Sequence, residues 1–244
     1  MDSLAAGRKG LPANSLKYIA IAAMLIDHIA WAFVPFNTTL GQVMHIIGRL
    51  TAPIMCFFIA EGYYHTRNLR KYMLRLGIFA VISHFAFVVF EYGDPFIFPA
   101  RTSVIYTLFL GLLALAVWNK LHNSFVKVFL ICVLCFMALF GDWLFFAVLY
   151  VLAFGINHGN FKKQIQWFCI VSVALILMLI PDAAMSGKVW YSQMYMAGVF
   201  LVIPLLVQYN GQLGKGGKFN KWLFYIFYPL HLFIIGILKF YIFI

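Results

Sequence analysis

The sequence predicts an all-α, polytopic transmembrane helix bundle of about nine spans, N-terminus cytoplasmic and C-terminus outside, forming a single integral membrane domain over residues 1–244. Three observations predict it. First, 64% of the residues are hydrophobic and only 10% are charged, against roughly 25% charged in soluble domains. Second, the chain divides into nine apolar runs near the ~20 residues that a helix needs to cross hydrocarbon. Third, Lys and Arg recur in every second connection, as expected of cytoplasmic loops. The same figures exclude a soluble enzyme, a disordered chain and a disulfide scaffold. The net charge of +11 reads as this loop pattern, so no nucleic-acid partner is expected; the lipid bilayer is the expected surrounding.

Residues 1–14 are polar, and Asn14 or Ser15 is placed to cap a first helix from Leu16. The expected spans are 16–36, 46–66, 72–92, 103–119, 125–140, 142–157, 164–181, 190–209 and 222–244. The first run is of span length, holds Asp27-His28 and lacks a small-residue cleavage site. It therefore reads as a span and not as a signal peptide. Spans five and six share one apolar run broken at Gly141-Asp142 and read as a tight hairpin. The stretch GQLGKGGK, Gly211 to Lys218, lacks P-loop spacing and follows no strand; it reads as a flexible cytoplasmic linker. Cys132 and Cys135 form a CxxC without a second pair. With Cys56 and Cys169 they are expected to be buried small hydrophobes, and no metal is expected.

Charge orders these spans. Arg8, Lys9 and Lys17 precede or open the first; Arg67, Arg70, Lys71 and Arg75 follow the second. Lys120 and Lys127, Lys162 and Lys163, and then Lys215, Lys218 and Lys221 follow spans four, six and eight. The other side holds Arg101, Lys188 and Lys239 with the acids Glu91, Asp94, Asp142 and Asp182.

Beyond the charges just assigned to the two sides, three fall inside spans: Asp27, Arg49 and Glu61. Charges in hydrocarbon are costly and face the bundle interior, where they mark function by default. The plainer reading is a structural ion pair, Asp27 with Arg49. Asp27 and His28 lie about 17 Å along span one, near mid-membrane. A carboxylate can orient a histidine that acts as general base, although neighbouring positions on a helix point about 100° apart, so Asp27 is equally placed to serve Arg49 or His231. His84 and His231 are the other mid-span histidines. Glu61 and His65 are four apart and share a face, followed by the dense cations Arg67, Arg70, Lys71 and Arg75. A phosphate-rich ligand would want such a cluster. Tyr225, Tyr228 and His231 line one side of span nine, where Pro229 loosens the helix.

Together these pieces resemble the TraX family of bacterial membrane proteins. The matching segments are LKYIAIAAMLIDHIA (Leu16 to Ala30), IIGRLTAPIMCFFIAEGYYHTRN (Ile46 to Asn68), KYMLRL (Lys71 to Leu76), VIYTLFLG (Val104 to Gly111), GDW (Gly141 to Trp143) and KWLFYIFYPLHL (Lys221 to Leu232). The resemblance implies a multi-pass protein of the bacterial cytoplasmic (inner) membrane and an acetyltransferase. Acetyl-CoA is the implied donor, and an amine or hydroxyl the acceptor: a peptide N-terminus, as in acetylation of a pilus subunit, or a sugar. On this reading His28 is the general base with Asp27 as its partner. Arg49 stabilises oxyanion charge or pairs with Asp27. Glu61, Tyr228 and His231 complete a polar cavity, and CoA docks near His65, Arg67, Arg70, Lys71 and Arg75. The rivals are a proton-coupled transporter and a non-enzymatic membrane assembly protein.

Overall fold

Hydrocarbon offers no partner to main-chain N–H and C=O groups, so an apolar chain satisfies them internally as helix. The computed structural model describes residues 10–97, 101–185 and 190–242. Arg8, Lys9 and Lys188 of the charge pattern lie outside the described residues, as do the side chains of Asp182 and Lys218. The described chain forms α1 (Ala13–Phe33), α2 (Thr39–Gly48), α3 (Thr51–His65), α4 (Leu69–Tyr92), α5 (Val104–Lys120), α6 (Ser124–Ala138), α7 (Leu144–Ile156), α8 (Phe161–Met185), a 3-10 helix (Trp190–Leu201), α9 (Val202–Val207) and α10 (Gly217–Ile237), which ends in a π-helical turn (Leu238–Ile242). No strand occurs among the described residues. Among the described residues, five stretches are long and apolar enough to cross a membrane: Ala13–Phe33, Thr39–His65, Leu69–Tyr92, Phe161–Leu179 and Phe219–Ile242. Four shorter apolar helices, Val104–Lys120, Ser124–Ala138, Leu144–Ile156 and Gln193–Val207, occupy the remaining expected spans.

The chain forms two compact units, residues 1–54 with 176–231, and 55–175 with 232–244. In the first, α1 packs on α2, and α2 on the 3-10 helix. Gly198 allows that second contact: a Cβ there would stand 3.0 Å from the Ile46 Cα. Helix α1 begins at Ala13, behind Pro12, with no side-chain cap. This corrects the expected cap at Asn14 or Ser15. Pro12 supplies a helix-compatible φ of −73°. The first free N–H groups donate instead to loop carbonyls, Ala13 to Gln212 at 2.8 Å and Asn14 to Leu213 at 3.0 Å. The Asn14 side chain donates to the Lys215 carbonyl at 2.8 Å. Asn220 donates to the same carbonyl at 2.9 Å and accepts from the Tyr18 hydroxyl at 2.8 Å. The supposed flexible linker is thus pinned to the start of α1. Gly211, Gly214, Gly216 and Gly217 supply its positive-φ turns.

In the second unit α5 is the central helix, packed on α4, α6 and α7. Small residues bring α5 and α7 together: Gly111 meets Val151, and Gly155 meets Leu115. The expected hairpin of α6 and α7 is present. Its turn is held by Thr102, whose N–H donates to Phe140 at 2.9 Å and whose carbonyl accepts from Asp142 at 2.8 Å. Outward faces carry large apolar side chains, such as Leu74, Val81 and Phe85 on α4 and Phe125, Phe129 and Phe136 on α6, as lipid-facing surfaces do. Cys132 is exposed on that α6 face and Cys135 and Cys169 are half-buried, so only Cys56 is the buried hydrophobe expected of all four. Two expected spans differ in form. Span two breaks at Arg49-Leu50 into α2 and α3, and span eight is mainly 3-10 helix.

Candidate functional site

Ionisable side chains gather into separate clusters. The first is built by α1 and the C-terminal turn of α2. Asp27 is buried, and its two carboxylate oxygens take different partners. Oδ1 meets Nδ1 of His45 at 2.8 Å, and Oδ2 accepts from Nη2 of Arg49. His45 and Arg49 are four apart, so one helical face carries both to the carboxylate. Gly48 makes room for it, because a Cβ there would run into the Asp27 side chain. Arg49 also donates from Nε to the His45 carbonyl at 3.3 Å, and its guanidinium lies 5.2 Å from the Tyr195 ring centre. His45 is fully enclosed, with Trp31 at 4.3 Å, Phe36 at 5.4 Å and Tyr195 at 5.6 Å between ring centres. Its Nε2 has no hydrogen-bond partner among the described residues.

In the same unit, Nε2 of His231 lies 2.9 Å from Nδ1 of His28, and Nδ1 of His231 lies 2.7 Å from the Phe227 carbonyl. The carbonyl can only accept, so His231 carries its proton on Nδ1. Its Nε2 then accepts from His28, which leaves the His28 lone pair on Nε2. Tyr228 closes on both rings, at 6.3 Å from His28 and 5.7 Å from His231. Pro229, inside α10, has no N–H to give.

Glu61 lies in the second unit, at the end of α3. Oε1 is 3.1 Å from Nε2 of His158 and Oε2 is 3.9 Å from Nδ1 of His65. His158 belongs to the turn between α7 and α8. Its ring stacks on Tyr64 at 4.0 Å and 20°, and the Tyr64 hydroxyl donates to the Gly155 carbonyl at 2.8 Å. Arg67, Arg70 and Lys71 are exposed at the start of α4, which Asn68 caps by accepting from the Lys71 N–H at 2.9 Å. Arg75 is half-buried over Tyr72, 5.5 Å from its ring centre.

The structure therefore rearranges the expected partnerships. Asp27 pairs with Arg49, the plainer of the two readings, and its second hydrogen bond goes to His45 and not to His28. The reason is helical geometry: His28 points about 100° away from Asp27 and reaches α10. Tyr228 and His231 stand with His28, while the partners of Glu61 are His65 and His158. Sequence reasoning passed over His45 and His158. Both sit one residue outside the spans drawn for them. The i, i+4 spacing of His45 and Arg49, opposite a mid-span acid, was the available signal for the first; nothing in the sequence marks the second.

Helix content and the apolar lengths of its helices place the chain in the class of helical membrane proteins, here with ionisable clusters set among apolar side chains. Within that class the chain belongs to the TraX family: the profile described as "TraX protein" matches residues 13–239. The probable fimbrial assembly protein FimC, serogroup H1, of Dichelobacter nodosus is 32% identical over 227 residues, spanning 90% of this chain and 92% of its own. The uncharacterized protein RP591 of Rickettsia prowazekii (strain Madrid E) is 39% identical over 67 residues, 28% of this chain and 23% of that one. No solved structure matches the chain.

Proposed function

We propose that this protein is a membrane acetyltransferase that moves an acetyl group from cytosolic acetyl-CoA to an amine or hydroxyl acceptor. The observation that carries the reading is the ordered histidine pair. His231, locked by the Phe227 carbonyl, fixes His28 in the tautomer of a general base. His28 accepts the acceptor's proton on Nε2 as its nitrogen or oxygen attacks the thioester carbonyl; the C–S bond then breaks and His28 returns that proton to the sulfur, so that CoA leaves as the thiol. Asp27, Arg49 and His45 hold α1 to α2 behind it. Arg49 neutralises Asp27 and so acts as a positioning residue. Exposed Arg67, Arg70 and Lys71, with Arg75 nearby in sequence, are the cations suited to a polyanionic donor. The loop charges support a cytoplasmic N-terminus, an external C-terminus and residence in the bacterial inner membrane. A pilus subunit is a fitting acceptor, since one relative is a probable fimbrial assembly protein.

Purified protein given labelled acetyl-CoA and cell extract should pass label to an acceptor. His28→Ala should lower transfer by about 10²–10⁴-fold without loss of fold. Full transfer by His28→Ala would remove the base from this role. A relative named for assembly also favours a non-catalytic assembly role. That reading predicts fimbriation intact in His28→Ala and no label transferred by the wild type.

A further inference from the structure

We infer that Glu61, His65 and His158 form a binding site for a transition-metal dication of the zinc type. One ligand atom from each lies within 4.8 Å of the others. Neighbouring ligand atoms of a tetrahedral zinc ion stand about 3.4 Å apart, given bonds of about 2.1 Å. The Glu61–His158 contact of 3.1 Å already has that spacing; Nδ1 of His65, 3.9 Å from the carboxylate, donates to the Glu61 carbonyl at 2.9 Å, and a rotation of this ring, which is 65% exposed, exchanges that bond and its proton for the metal. Two imidazoles and one carboxylate suit zinc, copper or nickel, whereas magnesium and calcium take oxygen ligands.

A bare Glu61–His158 ion pair would need neither the third residue nor a fixed ring. Here a second histidine faces the other oxygen of the same carboxylate. The His158 ring is held against Tyr64, which is itself anchored on the Gly155 carbonyl. The turn carrying His158 is fixed as well: its N–H donates to Gly155 at 3.1 Å, and Asn160 donates to Asn157 at 2.9 Å. Gly159 follows at φ 85°, a conformation open to glycine. Three protein ligands leave a fourth position for water or a ligand oxygen, the pattern of an open zinc site. The site stands independently of acyl transfer, and its readout is metal content.

The test is zinc titration by calorimetry of the full, tag-free chain in detergent after chelation, paired with the visible spectrum of the cobalt-loaded protein. One equivalent of zinc and a tetrahedral cobalt spectrum are expected. Glu61→Gln and His158→Gln should each weaken binding by more than about 10-fold, the least that loss of even an outer partner costs. His122→Gln, an exposed histidine outside the cluster, should bind as wild type does. Absence of stoichiometric uptake, or equal uptake by Glu61→Gln and His158→Gln, would leave an ion pair only and overturn the site. Where a variant does not fold, the wild-type cobalt spectrum decides alone, since a non-tetrahedral spectrum also overturns it.

Discussion

Asp27 shows what one carboxylate does when water is absent. Its charge is tolerable because Arg49 neutralises it and His45 hydrogen-bonds it; removal of either partner strands the rest. Arg49→Met should therefore cost about 3–5 kcal/mol, read as a fall in the detergent unfolding midpoint. The double change Asp27→Leu with Arg49→Met should recover part of that loss, because a buried pair is often replaceable by apolar groups, the remainder being His45, whose Nδ1 loses its partner. A neutral Arg49→Met would contradict the pairing. His231→Ala, by contrast, strands no charge and should lower the midpoint less than Arg49→Met; under the proposed function it should also reduce acetyl transfer, because it frees the His28 tautomer. The sequence made Asp27, His28, Arg49 and His231 legible, because ionisable groups in apolar runs stand out. It did not reveal how they pair. Pairing depends on helix rotation and register, and His45 escaped because α2 reaches back to Thr39, well before the apolar run that located span two.

At the scale of elements, the nine apolar runs were legible because backbone satisfaction in lipid leaves the chain little choice but helix. Local ends were less so. Asn14 reads as a cap and serves as a tie to a distant loop, a contact 201 residues away in sequence that no local rule contains. Asn14→Ala should cost about 1 kcal/mol and make the Gly211–Lys218 loop markedly more susceptible to protease than in the wild type. The α5–α7 contact is tighter. A Cβ at Gly111 would stand 2.8 Å from Val151 Cγ2 and 3.0 Å from its Cβ, and a β-branched side chain in a helix has no other comfortable rotamer. Gly111→Ala should destabilise by about 1–3 kcal/mol, with Val151→Ala restoring much of it. An unaltered unfolding midpoint for Gly111→Ala would mean that the two helices are not in van der Waals contact.

For the whole molecule, the loop charges predict its orientation. A cysteine introduced after Ile244 should react with membrane-impermeant thiol reagents applied to intact spheroplasts, and one introduced at Asn160 should react only after lysis. The reverse pattern would invert the topology. The helix lengths carry a further consequence for the surrounding lipid. At 1.5 Å per residue, α6 and α7, with 15 and 13 residues, reach only about 22 and 20 Å, against roughly 30 Å of hydrocarbon. Where α6 and α7 cross the bilayer, as the nine-span reading expects, the lipid beside the phenylalanine-rich face of α6 must thin to match it, at fractions of a kcal/mol per ångström. On that reading the protein should unfold at higher temperature in short-chain lipids than in long-chain ones, and an equal midpoint in both would mean that these two helices do not span.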